Sequence, residues 1–370
     1  MLTLRRGIPE RYTQASDEEL QRKVASAREA LGDRLLILGH HYQRDEVVDF
    51  ADALGDSFGL SRIAADRHDA EFVVFCGVHF MAESADILTG DHQAVVLPDL
   101  AAGCSMADMA DIDQVHRAWA ELAGVLDVER LVPITYMNST AAIKAFVGQH
   151  GGAVCTSSNA HAVLSWALGA DGVAGQGEQV LFLPDQHLGR NTALAMGYRD
   201  EDLAVWDPSL PLGGLSAEQL RSAKVLLWKG HCSVHQRFTT EQVEAFRARE
   251  PEGYVIVHPE CCREVVDLAD EVGSTDFIIK ALAKVPAGTA VAVGTEVHLV
   301  HRLAAQHPDL RVELLEEEVC PCSTMARIDL PHLAWVLEEL VEGRVTNQVT
   351  VDPDTAAKAK LALDRMLEIV

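Results

Sequence analysis

The sequence has no long apolar run. No stretch of about 18 apolar residues occurs in the 370-residue chain, so we expect no membrane-spanning helix. The opening stretch, MLTLRRGIPERYTQASDEEL, carries charges where a signal peptide would need its apolar core. Hydrophobic residues still make up 48% of the chain, which is ordinary for a globular protein. We therefore expect a protein that acts in the cytoplasm.

Basic residues are scarce. The chain has 31 Lys and Arg against 56 Asp and Glu, which gives a formal net charge of -25. Binding to nucleic acid needs clustered cations that neutralise phosphates, so we expect no nucleic-acid partner. A small anionic substrate is compatible with this charge, because backbone N–H groups at helix N-termini can hold it.

The cysteines lack the spacing of common metal motifs. The chain has eight Cys, but they form neither the closely spaced run of a ferredoxin nor the paired C-x₂-C knuckles of a zinc ribbon. In a reducing compartment such thiols are more often buried, catalytic or bound to metal than joined in disulfides.

Three cysteines lie far apart in loops that contain Gly, Pro or Ser: Cys104, Cys232 and Cys322. Three remote thiolates suit an iron–sulfur cluster at a domain junction, with one iron left open for substrate. Taken singly, each of them is more often a small core residue. Cys320 and Cys322 stand in a C-P-C sequence, and one tetrahedral iron would rarely take both. We interpret the remaining cysteines as packing residues: Cys76, Cys155, Cys261 and Cys262.

The length of the chain favours two or three domains. Short apolar, β-branched runs alternate with amphipathic stretches of helical period, which is typical of α/β folds with parallel strands. A helical N-terminal arm is predicted over 16–31 and a C-terminal helix over 330–369. The predicted strands fall into three sets: 34–40, 71–78 and 94–98; 130–137, 151–158 and 179–184; and 223–230, 253–260 and 290–296.

A repeated motif indicates that the three sets are related. LPDLAAG at 97–103 and LPDQHLG at 183–189 close the third strand of the first two sets alike, although α/β domains can also look alike without a common origin. We predict three α/β domains: 1–125 with the N-terminal arm, 126–220, and 221–370 with a C-terminal loop and helix. Ligands bind beyond the carboxyl ends of parallel strands. Three such sheets around a pseudo-threefold axis would face one central channel.

Polar side chains follow many of the predicted strands. A lone loop His is usually just a polar residue, but similar positions in each set favour a shared site. His258 and Glu260 form a candidate acid–base pair, because alternate residues at a strand end face the same side. The first strands of the three sets are followed by these side chains: His40, His41 and Tyr42; Tyr136 and Asn138; His231 and His235.

Hydroxyl-rich turns precede three predicted helices, at 55–57, 156–160 and 273–275. Such a turn can cap a helix and can also bind a carboxylate or phosphate at the helix N-terminus. Capping alone explains these residues equally well, so both interpretations stay open.

The loops together resemble the quinolinate synthase family of bacterial type. The resemblance runs from about residue 35 to 327, and its specificity comes from the order of the motifs rather than from any one of them. The motifs in chain order are GHHYQRDEVVDFADALGDSFGLS, GVHFMAESA, AGCSMAD, YMNSTAAIKA, CTSSNA, WKGHCSVHQRF, HPECCREVVDLAD and GST.

The resemblance implies three Rossmann-like domains and a [4Fe–4S] cluster with one open iron. It also implies an activity: condensation of iminoaspartate with dihydroxyacetone phosphate, with loss of phosphate and two waters, to give quinolinate for NAD biosynthesis. An aspartate oxidase or dehydrogenase that produces iminoaspartate is the implied functional partner.

The resemblance also assigns roles to residues. Cys104, Cys232 and Cys322 are the implied cluster ligands, and the spacing of Cys322 to Met325 favours it over Cys320. Tyr42 and Glu260 are the implied proton-transfer groups, and His40 is implied to contact substrate close to the chemistry. The remaining implied substrate-binding residues are Ser57, Tyr136, Asn138, Ser157, His235, His258 and Thr275.

Loss of water from carbon needs a base on one side and a stabilised hydroxide on the other, and an open iron can act as the Lewis acid. Three other hypotheses about the function remain open from the residues alone. The chain could be another [4Fe–4S] hydro-lyase, a non-catalytic iron–sulfur redox sensor, or an α/β binding protein without a cluster. A sensor usually carries a partner-binding element, and no basic patch is visible here.

Overall fold

The computed structural model describes residues 7–170, 172–316 and 321–369. The chain divides into two compact units. Unit 1 is Met1–Gly103 with Ser323–Thr350, and unit 2 is Cys104–Cys322 with Val351–Val370. Within the described ranges, no helix is both long and apolar enough to cross a membrane.

The strands are short and mostly buried, as expected for sheets covered on both faces. In chain order they are β1 Leu35–His40, β2 Ala53–Gly55, β3 Phe72–Cys76, β4 Ala94–Val96, β5 Leu131–Tyr136, β6 Ala153–Cys155, β7 Gln179–Leu183, β8 Leu203–Trp206, β9 Val225–Trp228, β10 Tyr254–Val257, β11 Glu271–Val272, β12 Ala290–Gly294, β13 Arg311–Leu314 and β14 Gln348–Val349.

Helices connect the strands, and most begin at a Ser, Thr, Asp or Asn that can cap the first turn. In chain order they are α1 Glu10–Thr13, α2 Asp17–Leu31, α3 Asp45–Val48, α4 Ser57–Asp66, α5 His79–Leu88, α6 Ser105–Asp108, α7 Ile112–Ala123, α8 Ala141–Gln149, α9 Ala160–Leu168, α10 Gln186–Ala195, α11 Ala217–Ser222, α12 Thr240–Arg249, α13 Arg263–Leu268, α14 Thr275–Leu282, α15 Val297–Gln306, α16 Leu330–Val341 and α17 Pro353–Glu368.

The sheets confirm the predicted α/β class with parallel strands. Unit 1 contains a sheet of order β14-β4-β3-β1-β2, in which only β14 is antiparallel to its neighbour. Unit 2 contains two all-parallel sheets, of order β6-β5-β7-β9-β8 and β11-β10-β12-β13. The fold is therefore built from three Rossmann-like sheets, as predicted. Their arrangement about a pseudo-threefold axis with a central channel stays a prediction.

One predicted strand belongs to a different sheet. The run at 223–230 was grouped with the third set, but β9 pairs in parallel with β7 and β8 and so lies in the second sheet. The third sheet is completed instead by β13, which pairs with β12. An apolar run predicts a strand but not the strand that it pairs with, because the pairing of parallel strands is set by the crossover connections. The domains 1–125, 126–220 and 221–370 stay predictions.

The two predicted terminal helices had different outcomes. The N-terminal arm is confirmed as α2, whose first turn is capped by the Ser16 hydroxyl accepting from the Glu19 amide. The prediction of one C-terminal helix over 330–369 is wrong, because this region forms α16, β14 and α17. Gly343 has a φ of 75° just after α16, and Pro353 starts α17, so the sequence contains a stop and a new start.

A close helix contact in unit 2 gives a test of packing. α8 and α17 approach at Gly148, where an added Cβ would lie 2.1 Å from the Lys358 carbonyl oxygen. We expect Gly148→Ala to destabilise the protein by about 1–3 kcal/mol, because the helices must separate. Gly59→Ala is the matched control, since its Cβ meets only Asp56 Oδ1 at 3.5 Å. Thermal unfolding of both variants checks this, and equal melting temperatures would contradict the tight contact.

Candidate active site

The carboxyl ends of several unit 2 strands bring together a buried polar group. Tyr136 ends β5, Cys232 and His235 follow β9, and His258 and Glu260 follow β10. Parallel strands place their carboxyl ends at one edge of a sheet, which is where ligands bind in α/β folds. His235, His258 and Glu260 are each 2% exposed, so water is largely excluded from them.

Glu260 and two histidines form the centre of this group. Glu260 Oε2 lies 2.5 Å from His235 Nδ1 and 3.7 Å from His258 Nδ1. The two imidazole rings stack with centroids 4.4 Å apart and an interplanar angle of 17°. The hydroxyl of Thr295, just after β12, lies 3.1 Å from His235 Nε2 and fixes that ring. Tyr136 makes a further side-chain hydrogen bond to Glu260.

The electrostatics set the charge of these groups. Burial raises the pKa of Glu260, but the neighbouring imidazoles of His235 and His258 and the hydrogen bonds from His235 and Tyr136 lower it by more. Glu260 is therefore ionised at neutral pH. Burial and the charge of His235 lower the pKa of His258 to about 3, so its imidazole is neutral. The Glu260 backbone N–H donates to His258 Nδ1 at 3.3 Å, which leaves the ring proton on Nε2.

The structure brings the three predicted cysteine ligands into one region of unit 2. Burial, with a smaller contribution from the nearby Cys322, raises the pKa of Cys104 to about 12. Burial also raises the pKa of Cys232, with further contributions from the charges of Glu260 and Cys104. The Cys104 thiol thus interacts with both other thiols. Cys320, the alternative to Cys322, lies outside the described residues.

The environment of these thiols fits a bound metal cluster. Backbone N–H groups of Met106 and Ala107 point to the Cys104 sulfur, and those of Val234 and His235 point to the Cys232 sulfur. Buried thiols with raised pKa values become thiolates only beside a strong positive charge, which a metal centre supplies. Amide hydrogen bonds to sulfur are also typical of cluster ligands.

Two buried carboxylates that the sequence analysis did not single out hold the cysteine loops. Glu296 follows β12, is fully buried, and its Oε1 accepts the Cys322 backbone N–H at 3.2 Å. Its other oxygen caps α15 by accepting the His298 backbone N–H at 2.8 Å. Asp185 follows β7, caps α10, and accepts a backbone hydrogen bond from Cys232. The signal was present in the sequence, since Asp185 lies in LPDQHLG and Glu296 ends the strand predicted at 290–296.

Three other predicted binding residues of unit 2 lie at strand ends or in first helical turns. Asn138 follows β5, and its buried Oδ1 has no hydrogen-bond partner within the described ranges. Ser157 lies half-buried between β6 and α9. Thr275 is buried in the first turn of α14, where the Ser274 hydroxyl accepts from the Phe277 amide.

Unit 1 contains the remaining predicted residues. His40 ends β1 and is buried, and its Nδ1 accepts the Tyr42 backbone N–H at 3.2 Å. The two rings meet edge to face, with centroids 4.7 Å apart. Ser57 is the first residue of α4, which is capped by the Asp56 carboxylate. The Gln43 side-chain amide of the same loop donates to the Met325 carbonyl at 3.3 Å.

Three of the other cysteines, Cys76, Cys155 and Cys261, bear out the packing interpretation. Cys76 and Cys155 are fully buried in β3 and β6. Cys261 is buried in a hydrophobic cluster with Phe246 and Val257. Cys262 is half-buried before α13.

Parallel sheets whose strand ends gather half-buried Cys with buried His and Glu define an α/β protein with a candidate metal-binding active site. A family profile described as "Quinolinate synthetase A protein" matches residues 22–368. The chain therefore belongs to this family, as the motifs predicted, and it is an enzyme.

Curated relatives carry the name quinolinate synthase. The relative from Corynebacterium glutamicum is 56% identical over 98% of this chain and 91% of its own length. The relative from Nocardioides sp. is 57% identical over 100% of this chain and 94% of its own length. The relative from Geobacillus kaustophilus is 55% identical over 98% of this chain and 96% of its own length.

Proposed function

We propose that this enzyme condenses iminoaspartate with dihydroxyacetone phosphate, with loss of phosphate and two waters, to give quinolinate for NAD biosynthesis. The observation that carries the proposal is the gathering of three remote cysteines beside the buried Glu260–His235–His258 group. Family membership favours this enzymatic role over a redox sensor or a binding protein. An iminoaspartate-producing oxidase or dehydrogenase is the proposed functional partner.

Cys104, Cys232 and Cys322 are the proposed ligands of a [4Fe–4S] cluster. Three ligands suit the cluster because they leave one iron without a protein ligand. When bound, such a cluster supplies a Lewis acid for a substrate oxygen. The amide donors around Cys104 and Cys232 support this role, because they stabilise negative charge on sulfur.

Glu260 is the proposed general base. It is ionised, buried, and held by His235 and Tyr136, so its position relative to a bound substrate is fixed. His258 is neutral and carries its proton on Nε2, so it can donate a hydrogen bond to a hydroxyl or phosphate oxygen. The low exposure of the group keeps out the water that would hydrolyse an imine.

Hydroxyl, amide and aromatic side chains are proposed to bind the polar ends of the substrates. Asn138 supports this role because its buried carbonyl oxygen is available for a ligand N–H or O–H. Tyr42 is proposed to assist proton transfer, beside His40 in the loop after β1. The remaining proposed contacts are Ser57, Tyr136, Ser157, His235 and Thr275.

Removal of the Glu296 carboxylate, which accepts the Cys322 backbone N–H, tests the proposed cluster site. Glu296→Ala leaves the Cys322 backbone N–H without its acceptor, so the loop is held less firmly. Groups that orient metal ligands typically contribute about 10–100-fold to metal affinity. We expect faster iron loss to a chelator from the reconstituted variant, measured by absorbance. Glu296→Gln keeps an acceptor oxygen and should lose iron more slowly than Glu296→Ala. Glu244→Ala, at an exposed position, is the control. Equal rates of iron loss in the wild type and in all three variants would show that Glu296 does not support the cluster site.

The direct test of the proposed activity is an anaerobic assay of the purified protein. Quinolinate is measured after iminoaspartate and dihydroxyacetone phosphate are added, and iron and sulfide are counted on the same sample. We expect quinolinate to form in proportion to the iron and sulfide content. A protein with a full cluster that makes no quinolinate would refute the proposed reaction.

A further inference from the structure

A second group of potential metal ligands overlaps the proposed cluster site. One ligand atom each from Cys232, His235 and Glu260 lies within 4.8 Å of the other two. His235 and Glu260 are buried, and Cys232 is half-buried. Only Cys232 belongs to the set of cysteines proposed to hold the cluster, so the two ligand sets differ in chemistry and share one sulfur.

We propose that, in the absence of the cluster, Cys232, His235 and Glu260 bind a single divalent cation of the zinc class. A thiolate sulfur, an imidazole nitrogen and a carboxylate oxygen are the ligand types that Zn²⁺ takes in proteins, at about 2.0–2.3 Å. Three protein ligands with an open fourth position are the usual pattern of a non-structural zinc site. On binding, the Cys232 thiol loses its proton to solvent, and the metal takes His235 Nδ1 and a carboxylate oxygen of Glu260.

The surroundings of the three ligands hold them in place before any metal binds. The Thr295 hydroxyl at 3.1 Å fixes His235 Nε2, so that Nδ1 faces Glu260. Tyr136 hydrogen-bonds to the Glu260 carboxylate. Asp185 accepts the Cys232 backbone N–H. Partners of this kind orient ligands and raise metal affinity.

Occupancy of this site would block the enzyme in two ways. The cation takes the sulfur of Cys232, so the cluster cannot be inserted, and it takes Glu260, the proposed base. This inhibitory consequence rests on the proposed function, whereas the binding of the cation does not. Zinc and iron–sulfur assembly would therefore compete for one newly made chain.

The test is metal titration of the full-length chain, purified without its cluster and freed of metal by dialysis. Zn²⁺ is titrated in competition with a chromophoric chelator, and Co²⁺ serves as a spectroscopic probe of a thiolate ligand. We expect one equivalent of Zn²⁺ per chain and a sulfur-to-cobalt charge-transfer band. Chains loaded with Zn²⁺ should then fail to take up iron and sulfide.

Four variants separate this site from the cluster. Cys104→Ser should lose the cluster and keep Zn²⁺ binding, whereas Cys232→Ser should lose both. His235→Gln should weaken Zn²⁺ binding at least tenfold and still assemble the cluster. Glu260→Gln is a second such variant, in case the first unfolds.

The proposal is overturned if no stoichiometric Zn²⁺ binds, if His235→Gln and Glu260→Gln bind it as wild type does, or if Cys104→Ser abolishes binding. Failure of the proposed reaction would leave these outcomes unchanged, because no substrate is used.

Discussion

The variants Cys104→Ala, Cys232→Ala and Cys322→Ala are each expected to lose the iron–sulfur cluster and with it the activity. The three thiols lie in one region of unit 2, where Cys322 acts electrostatically on Cys104 and Cys104 acts on Cys232. With one thiolate removed, the remaining two cannot hold a four-iron cluster firmly. After anaerobic reconstitution, the cluster content of each variant is measured by iron and sulfide analysis and by the visible absorbance of the cluster.

Cys76→Ala is the matched control for these variants. Cys76 is fully buried in β3, and burial is the cause of its raised pKa, with no other thiol contributing. This variant should keep the cluster, although the small cavity lowers its stability. Full iron content in any of the three ligand variants contradicts that residue's assignment. For Cys322 it would transfer the role to Cys320.

The second large effect is expected for Glu260→Gln. The substitution keeps the shape of the side chain but removes the negative charge that accepts a proton. Loss of a general base typically costs about 10²–10⁴-fold in rate. Because no cluster ligand is changed, iron and sulfide should remain at the wild-type level while turnover falls. Steady-state quinolinate formation under anaerobic conditions measures the loss.

Glu264→Gln provides the control for charge removal. Glu264 lies four residues further on, is exposed on α13, and should keep wild-type rates. A Glu260→Gln enzyme that turns over like this control would remove Glu260 from the mechanism. A variant that loses iron as well would instead show that Glu260 supports the metal site.

Much of the fold could be predicted because apolar runs and helical periodicity are local signals. The nine predicted strand regions each contain an observed strand, but five short strands were missed: β2, β8, β11, β13 and β14. Arg311–Leu314, for example, has charged residues and only partial burial. The sheet membership of β9 was wrong because hydrogen-bond partners of parallel strands depend on distant crossovers. The split of the C-terminal region was missed although Gly343 and Pro353 mark it.

The site residues could be predicted where the residue type itself is typical of catalysis or metal binding. Cysteine, histidine and the HPE sequence stand out in loops, so Cys104, His235 and Glu260 could be proposed from sequence. Asp185 and Glu296 were missed although each stands at the end of a predicted strand, because Asp and Glu are common and the backbone amides that they accept from are brought to them only by the fold. Helix caps of this kind look ordinary in sequence.

We propose that one iron of the cluster has no cysteine ligand and faces the substrate. Mössbauer spectroscopy of the ⁵⁷Fe-reconstituted enzyme, with and without added quinolinate, tests it most directly. We predict that one of the four irons changes its isomer shift when quinolinate is added and that the other three do not. A spectrum in which all four irons stay unchanged would contradict the account.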